Sequence, residues 1–231
     1  MNMGATHFTT VARQLGRTPL FRRMELPQLE EIARGLRVQV YHRRERVFTS
    51  RSEVPGVLIL LEGRVKLTRA DPRTGRELIL FIVRPGELFG MNESGDSDPA
   101  SAVALDESVV GRMRSADFER LAQEAEFTAE IARMTASRLA HVTSRLDEMV
   151  FRDVPARLAR MLLRLAHDFP GECDGAAIDV RLTQQDLADL IGSTRESASL
   201  AVNHFKREGL IDVRERVIFI CDSERLRSLT T

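Results

Sequence analysis

The fold is decided by residues 183–211, which read TQQDLADLIGSTRESASLAVNHFKREGLI. The stretch predicts two short helices joined by a turn at Gly192, because glycine readily adopts the left-handed conformation that ends a helix. Thr183 followed by Asp186 is a capping-box-like start for the first helix. A helix, a glycine turn and a second helix at this spacing are typical of a helix-turn-helix.

The second predicted helix, residues 194–206, has an apolar face and a polar face. Its start is indicated by Ser193 and Glu196, which repeat the S-x-x-E signal. Residues in a helix are rotated by about 100° each. One face therefore carries Ala198, Ala201, Val202 and Phe205, and the opposite face carries Arg195, Glu196, Ser199 and Leu200.

The polar face has chemistry suited to double-stranded DNA. Arginine can donate two hydrogen bonds to guanine and glutamate can accept one from cytosine, so we expect base reading by Arg195, Glu196, Ser199 and Leu200. Hydroxyls, amides and helix N-termini can hold phosphates, so we expect backbone contacts from Thr183, Gln185, Thr194 and Ser197. The alternative interpretation is an ordinary helical hairpin with solvated polar residues.

The residues that follow favour the DNA-binding interpretation. The sequence DVRERVIFICD, residues 212–222, predicts two short strands around Glu215. Two strands in this position form the wing of a winged helix-turn-helix. Arg214 and Arg216 are then placed to contact the DNA backbone.

The composition is that of an ordinary soluble protein, with 43% apolar and 29% charged residues among 231. No apolar run approaches the length of a membrane span and the N-terminus lacks a signal pattern, so we expect a cytoplasmic protein that does not contact membranes. Cys173 and Cys221 are the only cysteines, which excludes a four-cysteine zinc or iron–sulfur site within one chain. Because the net charge is zero, DNA binding must come from local placement of arginine.

Residues 1–116 predict a β-rich N-terminal domain. The short runs VLILLEG, RVKLTRAD and RELILFIV are separated by turns that contain glycine, which indicates a sandwich or a barrel. An amphipathic helix over residues 26–36 precedes them, with its apolar stripe at Leu29, Ile32 and Ala33.

Residues 117–151 contain no proline or glycine, which predicts one long helix. Positions spaced alternately by three and four form a coiled-coil-like seam: Ala125, Thr128, Ala132, Thr135, Leu139, Val142, Leu146 and Met149. We expect a homodimer, with its interface at Leu139, Val142, Leu146 and Met149. The alternative is a core helix packed on the barrel through Ile131, Met134 and Phe127. A hinge before Pro155 ends this helix, and the third predicted region, the C-terminal winged helix-turn-helix domain, spans residues 152–231.

A β-roll, a long dimer helix, a hinge and a winged helix-turn-helix in this order resemble the Crp/Fnr family, which includes the cyclic-AMP receptor protein and the fumarate-nitrate regulator. The most similar stretches are LTQQDLADLIGSTRESASLAVNHFKREGLI, TPLFRRMELPQLEEIARGL, VLILLEGRVKL and RPGELFG. The resemblance covers nearly the whole chain. It implies an α+β fold with an N-terminal β-roll (a cyclic-nucleotide-binding-like jelly roll), a long dimerisation helix and a C-terminal winged helix-turn-helix.

The resemblance also implies a homodimeric bacterial transcription regulator that binds a palindrome and contacts RNA polymerase. The loop over residues 171–177 corresponds to a surface through which family members contact polymerase. We expect an activator, although the sign of regulation depends on a promoter position that the sequence does not give.

Carried over by position, Arg195 and Glu196 match the family's two leading base-reading residues. The cyclic-AMP branch has a second arginine four residues after that glutamate, where this chain has Leu200. A leucine can contact a thymine methyl group but cannot bond guanine. Ser199 matches the serine of the fumarate-nitrate branch. We therefore expect a TGTGA-like half-site with at least one altered position.

The effector site departs further from the family pattern. Cyclic-AMP binders hold the ribose with a Gly-Glu pair and the phosphate with a later Arg-Ser/Thr-Ala sequence. The alignment places Gly90 and Met91 at the first pair and Ala100, Ser101 and Ala102 at the second. Gly86-Glu87 falls four residues early and is interpreted as the preceding turn. Without an arginine a buried phosphate lacks its charge partner, which argues against cyclic AMP.

Other signals remain as alternatives. Thr143 on the long helix is a candidate contact to an adenine-like group, or more simply an interface residue. Haem sensing needs an axial ligand, for which His42 and His141 are the candidates. Cys173 in the loop is a candidate for oxidation. We expect no cofactor and a protein active without a ligand, with an effector-gated regulator as the alternative.

The sequence does not indicate an enzyme. It contains no nucleophile paired with a base, no phosphate-cradling glycine loop and no histidine–carboxylate metal spacing. A small-molecule-binding protein whose helix-turn-helix only packs is the remaining rival from another class.

Overall fold

The structure is a computed structural model that describes residues 3–49, 56–90, 100–171 and 177–230. The chain divides into two compact units. The first contains residues 1–69 and 81–139, and the second contains residues 70–80 and 140–231.

The first unit is built on a β-roll of short antiparallel strands. Two four-stranded sheets have the orders β1-β8-β3-β6 and β2-β7-β4-β5. The apolar core between them includes Leu58, Leu60, Val65, Phe89 and Val110. The strands are β1 Arg37–Tyr41, β2 Arg46–Phe48, β3 Val57–Glu62, β4 Val65–Ala70, β5 Glu77–Val83, β6 Leu88–Phe89, β7 Ser101–Ala104 and β8 Ser108–Met113. The predicted roll is confirmed.

Helices cover one sheet of the roll. Helix α1 is Met3–Gly16 and α2 is Leu26–Gly35, where Glu25 and Gln28 form a capping box. The buried side chains of α2 are Leu29, Ile32 and Ala33, as its periodicity predicts. They join a second apolar cluster with Phe21 and Ile59.

The predicted helix over residues 117–151 is two helices in the structure. Helix α3 is Ser115–Leu121 and α4 is Ala125–Phe151. Two local contacts span the break: the Thr128 hydroxyl donates to the carbonyl of Ala122 (2.6 Å), and the buried ring of Phe127 lies 5.9 Å from Phe118. Within the described residues, no helix combines the length and the apolar character needed to cross a bilayer.

Among the described residues after α4, the second unit holds four helices and a small three-stranded sheet that form the C-terminal fold. Asp153 caps α5 by accepting a hydrogen bond from the amide of Ala156 (2.9 Å), and Pro155 lies in the first turn. The elements are α5 Val154–Asp168, β9 Ala177–Ile178, α6 Gln184–Ile191, α7 Arg195–Arg207, β10 Ile211–Arg214, β11 Val217–Ile220 and α8 Ser223–Ser228, and the strand order is β10-β11-β9. The fully buried side chains of its core include Leu158, Leu162, Ala198, Phe205 and Leu226.

Candidate nucleic-acid interface

The first helix of the predicted helix-turn-helix begins at a complete capping box. The hydroxyl of Thr183 accepts from the amide of Asp186 (3.1 Å), and the carboxylate of Asp186 accepts from the amide of Thr183 (2.9 Å). Gly192 ends the helix with φ 62° and ψ 43°, in the left-handed region. The turn at Gly192 therefore lies where the sequence predicts it.

The second helix begins one residue later than its S-x-x-E signal predicts. Thr194 is the N-cap, and its hydroxyl accepts from the amide of Ser197 (3.2 Å). The amide of Ser193 instead donates to the carbonyl of Ala188 (2.9 Å) and completes the turn after α6. The cap therefore consists of Thr194 and Ser197, and Ser193 with Glu196 does not form it.

The two faces of α7 are as the periodicity predicts. The buried residues are Ala198, Ala201, Val202 and Phe205. On the opposite face Arg195 and Glu196 are exposed, Ser199 is half-buried, and Leu200 is 71% exposed. We call Arg195, Glu196, Ser199 and Leu200 the recognition face.

A cleft of about 500 Å³ lies between α6, α7 and the wing. Four of the predicted contact residues line it, namely Thr183, Gln185, Arg195 and, at the wing tip, Arg216. Gln184, Asn203 and Lys206 line it as well and were not singled out from the sequence. Lys206 follows Arg195 by eleven residues, three turns of helix, so extending the recognition face along α7 would have found it.

The predicted phosphate-contacting residues are held by local hydrogen bonds. The amide of Gln185 donates to the carboxylate of Asp189 (2.7 Å). The Thr194 hydroxyl bonds the Ser197 hydroxyl (3.1 Å) at the start of α7. These bonds fix the side chains at the N-termini of both helices, where the helix dipole favours an anion.

The wing is a two-residue hairpin. Glu215 (φ 49°) and Arg216 (φ 69°) form its tip, in the left-handed conformations that such a tight turn requires. Arg214 donates to the carboxylate of Asp212 (2.7 Å), which lowers the pKa of that carboxyl, and it stacks over the ring of Phe219 at 5.3 Å. Of the two predicted wing arginines, Arg216 lines the cleft and Arg214 is paired on the strand.

The seam on α4 is largely exposed. Leu139 is 66% exposed, Leu146 58% and Val150 72%. Val142 is half-buried. Met149 is half-buried, and a Cβ on Gly192 would lie only 2.6 Å from its Cε, so Met149 packs against the turn after α6. The spacing predicts Met149 as the last residue of the seam, but in the structure the exposed residue at this end of the stripe is Val150.

The described part of the predicted effector site is apolar and close-packed. Ala102 is fully buried in the roll core, beside half-buried Ser101. A Cβ on Gly90 would lie 3.2 Å from Leu58 and 3.4 Å from Phe48. Residues 90–102 contain no arginine or lysine, so the segment offers no cation to a cyclic phosphate. Met91 lies outside the described residues.

The nearby Gly86-Glu87 pair belongs to the turn before β6. The amide of Glu87 donates to the carbonyl of Arg84 (3.0 Å), and Gly86 has φ 88°. The carboxylate of Glu87 accepts from Arg84 (2.9 Å) and lies 3.7 Å from Arg138. This carboxylate is therefore engaged by arginines of the chain itself.

The other candidate sensor residues have different surroundings. His42 is exposed and lies 3.8 Å from Glu107. Arg164 donates to Nδ1 of His141, and burial together with the charge of Arg164 lowers the pKa of His141 to about 4. Thr143 is exposed on α4. Cys173 lies outside the described residues.

Comparison with known proteins identifies both halves of the chain. The family model for the Crp-like helix-turn-helix domain matches residues 156–229, and the model for the cyclic nucleotide-binding domain matches residues 38–125. The CRP-like cAMP-activated global transcriptional regulator of Mycobacterium tuberculosis is 30% identical over 220 residues, which are 92% of this chain and 96% of that protein. The transcriptional regulator LdrP of Thermus thermophilus is 30% identical over 183 residues, 79% of this chain and 91% of that one.

Solved structures share the fold. FixK2 from Bradyrhizobium japonicum aligns with a TM-score of 0.74 at 22% identity, over 85% of this chain and 98% of that one. A CRP-family transcriptional regulator from Thermus thermophilus aligns with a TM-score of 0.70 at 27% identity, over 83% and 96% of the two chains. With a β-roll, a long helix and a DNA-binding helix-turn-helix in the same order, this chain belongs to the Crp/Fnr family of transcriptional regulators.

Proposed function

We propose that the protein is a cytoplasmic, homodimeric transcription regulator that reads a palindromic site without an effector. The observation that carries the proposal is the recognition face, where Arg195, Glu196 and Leu200 are exposed along one side of α7. Arg216 and Lys206 line the adjoining cleft and supply positive charge for phosphates. The chain acts as a DNA-binding regulator and not as an enzyme.

The half-site follows from the chemistry of the recognition face. Arg195 reads guanine through two hydrogen bonds, and Glu196 accepts from cytosine N4. Leu200 contacts a thymine methyl group, so the site is TGTGA-like with an altered position. Thr183, Thr194 and Ser197 hold phosphates at the N-termini of α6 and α7.

The homodimer forms through α4. Leu139, Leu146 and Val150 present a long apolar stripe to solvent, and such a stripe is stable when a second copy covers it. Two-fold symmetry then places the two α7 helices in successive major grooves. We further propose that the regulator is an activator that contacts RNA polymerase.

Effector independence is supported by the lack of a cation over residues 90–102 and by the pairing of Glu87 with Arg84. The rival is control by cyclic AMP, since the mycobacterial relative is named as cAMP-activated. The sequence analysis left two other signals open, a gas bound to haem and oxidation of Cys173. Either of them would also make the protein an effector-gated regulator.

DNA selection tests the proposal directly. Purified protein would be mixed with a random duplex library, without ligand and with cyclic AMP or cyclic GMP. We expect a two-fold site to be enriched without ligand, and an Arg195→Ala, Glu196→Ala double variant to lose it while keeping its circular dichroism. Enrichment only with a cyclic nucleotide would show an effector-gated regulator, and no enrichment in any arm would contradict effector-independent reading of DNA.

A further inference from the structure

One buried arginine joins three segments of the second compact unit. Arg145 lies on α4 and is only 6% exposed. Its Nη1 donates to the main-chain carbonyls of Ile79 (2.7 Å) and Leu80 (3.1 Å), and its Nη2 donates to the main-chain carbonyl of Leu190. Ile79 and Leu80 belong to β5 and Leu190 to α6. A single side chain of α4 therefore bonds both the β4–β5 hairpin and the helix-turn-helix.

The acceptor on α6 is a carbonyl that the helix leaves open. Leu190 lies in the last turn of α6, where main-chain carbonyls have no partner within the helix. A positive charge at a helix C-terminus is also favoured by the helix dipole. Burial lowers the pKa of Arg145 to about 10, so the guanidinium keeps its charge at neutral pH.

The surroundings supply the counter-charge. Glu148, one turn along α4, is 4% exposed. Its carboxylate lies 3.6 Å from Nε of Arg160 and 3.7 Å from Nη2 of Arg164, both on α5. Arg145 is thus held by three main-chain carbonyls and Glu148 by two arginines, so each of these buried charges has polar partners.

Apolar contacts meet at the same place. A Cβ on Gly192 would lie 2.6 Å from Cε of Met149 and 3.7 Å from Cδ1 of Leu78. Met149 from α4 and Leu78 from β5 thus both approach the turn between α6 and α7. Polar and apolar contacts fix the same three segments against each other.

We propose that Arg145 is a positioning residue for DNA binding, because its three main-chain bonds hold the helix-turn-helix at one angle to α4. This rests on the proposed function, since it concerns the dimer formed by α4. Leu146 is exposed on the seam while Arg145 is buried against α6, so this part of α4 faces the partner copy with one side and the helix-turn-helix with the other. The distance between the two α7 helices of a dimer then depends on the Arg145 contacts.

The chemistry requires arginine at this position. A guanidinium presents a planar fork of donors that can bond acceptors in two directions, whereas the ammonium of lysine is a compact point charge. Arg145→Lys keeps the charge but loses the fork, and Arg145→Met loses both. Either change leaves buried carbonyls of β5 and α6 without their donor.

The experiment measures the preference for half-site spacing. Wild type and variants would bind duplexes whose two selected half-sites are separated by spacers that differ in single base-pair steps, with a single half-site as reference. Wild type should show one sharp optimum, near one helical turn between half-site centres. Arg145→Met and Arg145→Lys should lose about tenfold or more at the optimum, as expected for a lost hydrogen bond to a charged group. Their spacing profile should flatten, with single half-site affinity unchanged.

Arg138→Met is the matched control. Arg138 also lies on α4, seven residues earlier, and its Nη2 donates to the carbonyl of Leu88 (2.8 Å) in the first unit. This variant should lower Tm as the Arg145 variants do but should keep the sharp spacing optimum. A flattened profile in Arg138→Met, or an unchanged one in both Arg145 variants, would overturn the proposal.

A measurement without DNA separates this inference from the proposed function. Amide hydrogen exchange should accelerate over residues 77–80 and 187–194 in Arg145→Lys and stay unchanged over residues 57–62. Unchanged exchange over the first two segments would overturn the proposal even if wild type selects a DNA site. If wild type selects no site, the proposed function fails and with it the role of Arg145 in DNA binding.

Discussion

At the scale of single residues, the two wing arginines differ in what holds them. Arg214 is paired with Asp212 and stacked on Phe219, whereas Arg216 lines the cleft beside α7. Only an arginine that is available to a phosphate adds to binding and to its dependence on salt. The two side chains are two residues apart, so they form a matched pair for mutation.

Arg216→Ala should weaken binding to all DNA sequences and reduce the slope of log K against log salt by about 1. Arg214→Ala should leave both the affinity and the slope near the wild-type values. Fluorescence anisotropy at several salt concentrations measures both quantities. Equal losses in the two variants would contradict the assignment of Arg216 as the phosphate contact.

We propose that Leu200 determines which base is preferred at one position of the half-site. Leu200→Arg should change the selected base at that position to guanine, with discrimination of about 1–3 kcal/mol, because arginine can bond guanine O6 and N7. Leu200→Ala should lose the wild-type preference there without gaining guanine. Selection from a library randomised at each half-site position compares the three proteins. If all three select the same base, Leu200 does not read DNA.

At the scale of elements, the exposed stripe of α4 predicts the oligomeric state. Leu146→Asp places a charge in the middle of the apolar seam, so we expect a monomer at concentrations where wild type is a dimer. Ser137→Asp adds the same charge at an exposed position on another side of α4 and should stay dimeric. Sedimentation velocity measures the masses. If the Leu146→Asp variant sediments with the same dimeric mass as wild type, the seam on α4 is not the dimer interface.

Element types were predictable where periodicity is strong, and boundaries were not. The buried stripes of α2 and α7 follow directly from their spacing. The break before α4 has no proline or glycine to mark it, and helical periodicity does not reveal the contacts of Phe127 and of the Thr128 hydroxyl that span it. The one-residue shift at the start of α7 arises because Ser193 completes the preceding turn.

The candidate site was predictable only in part for a similar reason. The recognition face could be read from a helical wheel, since it lies opposite a buried stripe. Lys206 could have been found by extending the recognition face along α7, but Asn203 is an exposed polar residue, and nothing in its type separates a cleft position from a solvated one. The difference between Arg214 and Arg216 depends on strand register, which places Asp212 opposite Phe219.

At the scale of the whole molecule, charge is balanced, with 34 basic and 34 acidic residues. A neutral chain has no long-range field to draw it to nucleic acid, so DNA binding depends on a few placed cations. Titratable groups that are partly buried inside the second unit add a pH dependence to its stability. His141 is the clearest case, because burial and Arg164 lower its pKa to about 4.

Acid should destabilise the protein through His141. As pH falls from about 6.5, the unfolded chain takes up a proton on this residue while the folded protein does not, until the pH nears the folded pKa. His141→Gln should therefore lose less stability than wild type between about pH 6.5 and 4. Urea unfolding at several pH values measures the difference. Parallel curves for the two proteins would contradict a neutral, buried His141.

The wing tip has a consequence for engineering this protein. Glu215 and Arg216 both hold left-handed backbone conformations that an Asn-Gly tip would adopt at lower cost, by roughly 1–3 kcal/mol for each residue. A search for heat-resistant variants would therefore select Asn-Gly here and discard the cation of Arg216. Under the proposed role of Arg216 as a phosphate contact, selection for heat resistance would lower DNA affinity, so such a search should hold these two positions fixed.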